Sequence, residues 1–279
     1  MRVGVACIVK NESPYILEWV AHYHLLGFDK IIVGDNLSSD DTLLKLQHLA
    51  RMGIVDVYSF DHPSGKPQIH FYDHVSSLYS DQLDALCFFD ADEFIFHKDE
   101  DINPRHEISK LFRDHQVSAV AVNWCTYGSS SEKDFRNELL TRRFLKHSTE
   151  KFGANKHYKC AVRLESMFGM LNPHHPSVMS GKIINAEGNV VEYEKRDCIT
   201  LYGLSHTVSW ENLRINHYFC KSEQEFREIK MPRGLADSTG MRSMSHFHAH
   251  DKNDRCDFSV DKHATKIADL IAYWGMTNE

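Results

Sequence analysis

Four short apolar runs in the first ninety residues, each joined to the next through residues at helical spacing, confine this chain to a layered α/β fold with a parallel sheet. Residues 3–9 are continuously apolar, as expected for a strand buried on both faces. Ser13-Pro14 then reads as N-cap and first helical turn. Ile16, Trp19, Val20, Tyr23 and Leu26 follow at helical spacing, and Gly27 ends the pattern. The same grammar gives a strand over 30–33, a helix opened by Ser38-Ser39-Asp40-Asp41, a strand over 54–60, a helix over 67–79 and a strand over 83–89. Short links between such units imply right-handed crossovers, and ligands of the resulting sheet lie beyond the carboxyl ends of its strands. Those ends carry Lys10-Asn11-Glu12, Asp35-Asn36, Asp61-His62 and Asp90-Ala91-Asp92.

The last of these is the most pointed. In an extended segment residues i and i+2 face the same way, so Asp90 and Asp92 are placed to share one divalent cation or one cation-bound phosphate. Mg2+ or Mn2+ takes one or two carboxylates and leaves room for phosphate oxygens. The competing reading is a solvated acidic turn after a strand. Two nucleotide chemistries are excluded by what is missing: no G-x-G-x-x-G follows the first strand, and Gly65-Lys66-Pro67 has neither the spacing nor the hydroxyl of a Walker A loop.

Composition narrows the class further. A formal net charge of −7 argues against a general nucleic-acid binder. Seven scattered cysteines, odd in number and without a C-x-x-C pair, fit a reducing cytoplasm. No stretch approaches the ~20 apolar residues of a membrane span, and no signal peptide is expected, so any membrane contact is expected to be peripheral, at the inner membrane face.

After residue 96 the pattern loosens. A helix over 104–115, strands over 117–124, 157–164 and 190–193, and a polar loop over 128–134 are expected. Ser222-x-x-Glu225 is a capping box opening a short helix. Residues 234–258, polar and His-rich, are expected to be mobile or to fold on binding, and 261–274 to form an amphipathic helix that docks on the core or on a second subunit.

Taken in order, Lys10-Asn11-Glu12, Val33-Gly34-Asp35-Asn36 with Ser38, Asp40 and Thr42, and Phe89-Asp90-Ala91-Asp92-Glu93-Phe94 resemble the opening of a GT-A glycosyltransferase of the family-2-like and family-92-like group. Asn123-Trp124 with Tyr127-Gly128-Ser129-Ser130 resembles that group's W-x-x-F-G-S-S segment. Ile215-Asn216-His217-Tyr218 with Lys221-Ser222, Glu225-Phe226 and Arg233-Gly234 resembles its ending. The resemblance implies a GT-A fold of α/β class over residues 1–234, divided into a nucleotide-sugar half (1–96) and an acceptor half (97–234), with 235–279 appended. It further implies a nucleotide-sugar donor, a UDP-sugar above others, a divalent metal (Mn2+ or Mg2+) and inversion at the anomeric carbon.

By position, the resemblance puts Asn11, Glu12, Asp35 and Asn36 around base and ribose, and Asp90 near the ribose or the metal. Asp92 and His217 become metal ligands, and Lys221 and Arg233 partners of the leaving diphosphate. Trp124, Tyr127, His174 and His175 are candidates for the acceptor, a saccharide or lipid-linked saccharide of surface polysaccharide or lipopolysaccharide synthesis. The base is open: Arg142-Arg143 stand where an acidic residue is expected before Phe144, leaving Glu93, Glu132 and Glu165 as candidates. Each position also has a purely structural reading, such as turn and cap chemistry for Asp35-Asn36 with Ser38-Ser39. Three rival functions stay open: a haloacid-dehalogenase-like phosphohydrolase, a metallohydrolase built on His246, His248, His250 and Asp251, and a non-catalytic glycan-binding protein on a transferase fold. Oligomeric state is not legible.

Overall fold

The protein is described from a computed structural model, over residues 1–233 and 240–276. The strand–helix alternation is realised as β1 (Val3–Val9), α1 (Ile16–Leu25), β2 (Lys30–Asp35), α2 (Thr42–Arg51), β3 (Asp56–Ser59), α3 (Pro67–Leu78) and β4 (Ala85–Phe88). These strands pair in parallel in the order β3-β2-β1-β4. Both faces of β1 are covered. Val3, Val5, Cys7 and Val9 point into one buried cluster with Trp19, Leu46 and Leu49, whereas Ala6 points into a second with Phe71, Tyr72 and Val75. That double burial is why β1 reads as an unbroken apolar run.

One expectation about α1 fails. Ser13 does not cap it; Tyr15 stands at the cap without a side-chain bond, and the Glu12 carbonyl accepts from the amides of Tyr15 and Ile16. Ser13 is instead held across the rim by Asp40 and Lys45.

Beyond β4 the chain turns and continues as β5 (Glu93–His97), α4 (Pro104–Leu111) and β6 (Val117–Thr126), then α5 (Leu140–Arg143), β7 (Lys146–His147) and β8 (Tyr158–Arg163). Two hairpins and a short strand follow: β9 (Met167–Asn172) with β10 (His175–Val178), β11 (Lys182–Asn185), and β12 (Tyr193–Arg196) with β13 (Ile199–Ser205). Finally come β14 (Leu213–His217), α6 (Glu223–Glu225), α7 (Met244–His250), β15 (Arg255–Cys256) and α8 (Val260–Tyr273). The strand expected at 190–193 lies at β12 instead, and α4 stops at Leu111 rather than at residue 115. β9, β10, β11, β13 and β14 are not among the strands expected from the sequence pattern.

The sheet extends from β4 through antiparallel β8 to β6. The other edge of β6 is shared: β11 pairs with its first half and β14 with its end. β14 in turn pairs antiparallel with β5, setting His217 opposite Glu93. A largely parallel, mixed α/β sheet with flanking helices results, the fold class that the resemblance implies.

The polar stretch after residue 240 is folded rather than mobile. α7 carries Phe247 into a small cluster with Cys220 and Phe226, and β15 pairs with β7; residues 234–239 lie outside the described residues. α8 packs on α1 and α5, with Ala264, Ile267, Ile271 and Trp274 in the main core. His263 reaches His22 of α1 at 2.8 Å.

Candidate active site

The carboxyl ends of β1 and β2 form a tightly bonded rim. Asn11 adopts φ +54°, in the left-handed region that Asn tolerates, and this turns its side chain onto Ser39. The Asn11 amide donates to Ser38 Oγ and the Glu12 amide to Thr42 Oγ1. Asn36 bonds the Phe60 carbonyl at 3.0 Å. Asp35 is buried: its Oδ2 accepts from the Ser38 amide at 3.1 Å, while its Oδ1 is buried without a hydrogen-bond partner. An acceptor left unpaired in this way costs free energy unless a ligand donor meets it.

Opposite this rim, Arg233 holds Glu12 through its carboxylate and Asn11 through its carbonyl. Lys221 lies 3.5 Å from Glu12 and 3.2 Å from the centre of the Tyr15 ring. Burial pushes the Lys221 ammonium down, with Glu12 and Asp92 opposing. Tyr15 also donates to Glu225 at 2.7 Å, and Glu225 completes the expected capping box with Ser222 and takes Arg143 as a buried ion pair.

The acidic pair sits in a turn, not in an extended strand. β4 ends at Phe88, and the Glu93 amide donates to the Asp90 carbonyl as the chain reverses into β5. The expectation that Asp90 and Asp92 share one direction by strand alternation is therefore replaced by two separate settings. Asp90 Oδ1 accepts from Gln68 at 2.7 Å, from Tyr72 at 3.2 Å and from the Lys159 ammonium at 2.9 Å. Asp92 Oδ2 lies 2.5 Å from Lys230 Nζ and 3.6 Å from His217 Nε2. Burial pushes the Asp92 carboxyl up, but Lys230, His217 and Lys221 outweigh it and hold it well below the usual carboxylate range. His217 is pushed down by burial, against the pull of Asp92, and its Nδ1 is buried without a partner.

Behind the turn stands a layer of rings. Trp124 Nε1 donates to Glu93 at 2.8 Å, and its ring lies between His157 (4.7 Å between centroids, nearly parallel) and His217 (4.1 Å), with His174 at 5.2 Å edge-on. Lys159 is fully buried beneath this layer. Its ammonium touches Asp90, stands 3.8 Å from Glu93 and reaches the Pro173 carbonyl at 3.3 Å.

This geometry corrects several expectations. Glu93 is fully buried between Trp124 and the Asp90 amide, and burial raises its pKa well above the usual range despite Lys159; it braces the turn and has no open side for a substrate hydroxyl. Glu132 is engaged by Arg136 and Arg143. Glu165 follows β8, whose Arg163 pairs with Ala85 at the start of β4, so it lies at the opposite end of the sheet. Tyr127 is fully buried with its hydroxyl on Asp257, leaving no surface for a sugar, and Trp124 has His157 and His217 against its ring. His174 joins the ring layer, whereas His175 points to the other face, onto Tyr158 OH and the Tyr202 ring. His246 and His250 bond within α7 and its cap, and no group of three or more His, Cys, Asp or Glu among the described residues forms a metal cage.

Gln68, Tyr72, Lys159 and Lys230 belong to none of the motifs legible in the sequence. Lys230 belongs to a π-helical turn (Phe226–Lys230) behind the capping box, and such turns recur at functional sites; the other three carried no local signal.

The sequence profile of glycosyltransferase family 92 matches residues 3–228. A glycosyltransferase family 92 protein of Arabidopsis thaliana is 23% identical over 133 residues, covering 45% of this chain and 23% of that protein. Among solved structures, residues 1–349 of S. aureus TarS in complex with UDP align at 14% identity and a TM-score of 0.41, over 59% of this chain and 47% of that one. Glucosyl-3-phosphoglycerate synthase of Mycobacterium tuberculosis, in complex with Mn2+, UDP and glucosyl-3-phosphoglycerate, aligns at 17% identity and a TM-score of 0.31, over 59% of this chain and 57% of that one. The chain thus spans well under two thirds of the length of each of these relatives.

Proposed function

Because this chain belongs to glycosyltransferase family 92, we propose that it transfers a sugar from a nucleotide-sugar donor, a UDP-sugar above others, to a saccharide acceptor with inversion at the anomeric carbon. The observation that carries the reading is the Asp92 carboxylate, held ionised at the strand-end rim with an ammonium and an imidazole against it. Asp35 adds the base: its unpaired, buried Oδ1 suits an N–H donor such as the imide of uracil.

The donor set fits a divalent cation. Asp92 and His217 offer one oxygen and one nitrogen on the same side, and Lys230 shows that a positive charge is accommodated there. Imidazole in the set favours Mn2+ over Mg2+. Bound there, the cation would supply charge neutralisation for the leaving diphosphate. The chain's own cations act in the same direction. Lys230 holds its charge within reach of Asp92, Lys221 stands between Glu12 and Asp92, and Arg233 holds Glu12 at the rim, so that all three could stabilise departing phosphate charge. Glu93 and Trp124 hold the turn in place, and Lys159 fixes Asp90.

We assign the acceptor to surface polysaccharide or lipopolysaccharide assembly on the cytoplasmic side, met at the inner membrane face when lipid-linked. Seven free cysteines, five of them buried, support a reducing compartment. No helix among the described residues is long and apolar enough to cross a membrane. A phosphohydrolase finds no support: the end of β1 carries Asn11 and Glu12, both engaged by rim residues, in place of a free nucleophilic Asp.

The test is calorimetric titration with UDP, GDP, CDP and dTDP, with and without Mn2+. UDP binding that tightens with Mn2+, and loses that tightening in Asp92→Asn, is the expected result. Binding of no nucleoside diphosphate overturns the reading.

A further inference from the structure

Resting on that reading, we propose that Lys230 is a removable counter-ion: it fills the cation's place at Asp92 while the donor site is empty, and passes to the diphosphate when cation and donor bind together. The two acidic residues of the turn are held in unlike ways. Asp90 is fixed by Lys159, whose side chain is fully buried, with Gln68 and Tyr72 on the same oxygen. Asp92 is held by Lys230, whose side chain keeps 14% of its surface open. The first pair is enclosed; the second borders solvent.

The position of this second pair makes it a competitor. Lys230 Nζ meets Asp92 Oδ2 at 2.5 Å, and His217 Nε2 faces that same oxygen from 3.6 Å. A cation that takes this oxygen and this nitrogen therefore needs the place that the ammonium now holds. The charges agree. Asp92 and Lys230 cancel, and the neighbouring Lys221 is committed to Glu12. Beside an unmoved Lys230, a divalent ion would meet like charge in a largely buried setting, where screening is weak.

The segment that carries Lys230 also reaches the nucleoside rim. The π-helical turn (Phe226–Lys230) runs directly into a 3-10 turn (Met231–Arg233). It is rooted at its start, where Glu225 pairs with Arg143 and Phe226 packs with Cys220 and Phe247. Farther along, its grips on the site are ionic: Lys230 on Asp92, and Arg233 on the Glu12 carboxylate and the Asn11 carbonyl. The Lys230 ammonium also lies 4.1 Å from the centre of the Phe219 ring, a contact that favours its charge without fixing its partner. A diphosphate offers Lys230 a new anion as Asp92 turns to the cation, so neither charge is left unpaired. Cation binding then depends on the donor, and by linkage each strengthens the other by the same factor.

The experiment reads Mn2+ binding directly, from the paramagnetic resonance signal of the free ion, with the full chain, first without nucleotide and then with UDP. Without nucleotide, Lys230→Met should tighten Mn2+ about tenfold, and it should shrink the factor by which UDP tightens it further. Lys230→Gln keeps a hydrogen-bond donor for Asp92 and should fall between that variant and the parent, which preserves the comparison if the methionine is not tolerated. Adding Asp92→Asn to either variant should abolish the gain. Arg227→Gln removes a positive charge from the same turn, where it pairs with Glu223, and should leave Mn2+ affinity within about twofold. Unchanged or weaker Mn2+ binding in both Lys230 variants overturns the proposal. So does an equal gain in Arg227→Gln, or a gain that survives Asp92→Asn. A parent that binds no UDP, with or without Mn2+, overturns the transferase reading, whereas the nucleotide-free comparison still decides whether Lys230 holds the cation's place.

Discussion

The rim at β1 and β2 and the turn after β4 lie side by side at one end of the sheet but are stabilised over different distances along the chain. At the first, most partners come from the adjoining βα unit: Asn11 with Ser38 and Ser39, Glu12 with Thr42, Asp35 with Ser38. At the second, Asp90 depends on Lys159, and Asp92 on Lys230, 138 residues away. The nucleoside side can therefore take shape when the first two βα units pack. The acidic turn is complete only when β8, β14 and the π-helical turn have closed around it. Substitutions at the turn should damage stability and turnover broadly, and those at the rim should alter ligand choice.

The strongest way to break this contrast is Lys159→Met. It leaves Glu93 buried without its counter-ion, so a loss of about 3 kcal/mol is expected in denaturant titration. Glu93 already has its folded pKa raised above the unfolded value. Its favourable contribution is present below the unfolded pKa and is lost as pH rises through the folded one, so the variant's deficit should grow from pH 5 to pH 8. A deficit under 1 kcal/mol at both pH values would place the turn's stability elsewhere.

Next in size is Asp92→Asn, which keeps shape but removes the charge facing Lys230 and His217. Donor turnover should fall ~10^2-fold, and the melting temperature should fall with it, because Lys230 loses its ion-pair partner. Unchanged metal-dependent turnover would remove Asp92 from the chemistry.

Asp35→Asn sharpens the other side of the contrast. Presenting an amide where Oδ1 now waits for a donor should weaken UDP about tenfold while sparing CDP, whose ring nitrogen accepts. Equal losses for both would mean that Asp35 serves only the Ser38 turn.

The smallest effect concerns the C-terminal helix. Burial holds His22 well below its ordinary range, and His263 is lowered to about 4. Both bind protons more readily when unfolded, so their contribution is present above about pH 6.5 and is lost as pH falls toward 4. His263→Leu should flatten the decline in melting temperature between pH 7 and pH 5 by a few degrees; a slope identical to the parent's would assign that decline to the other buried histidines.

How much of this was legible beforehand depends on the distance over which each feature is encoded. The strand–helix alternation, the ends of β1, β2 and β4 as a polar rim, the Ser222–Glu225 cap and the apolar stripe of α8 follow from periodicity and end-residue chemistry, which act within a few residues. They could be read without any tertiary information. The lysines that hold the acidic pair, the enclosure of Glu93, and the separation of His174 from His175 onto two faces of the sheet could not. Tyr127 shows why: its aromatic ring before a Gly-Ser loop suits a sugar platform equally well until Asp257, 130 residues onward, is found bonded to its hydroxyl. Local sequence determines which side a residue presents to its own element. Only the closed sheet decides what stands against that side, because burial and ion pairing belong to contacts that exist once distant segments have met.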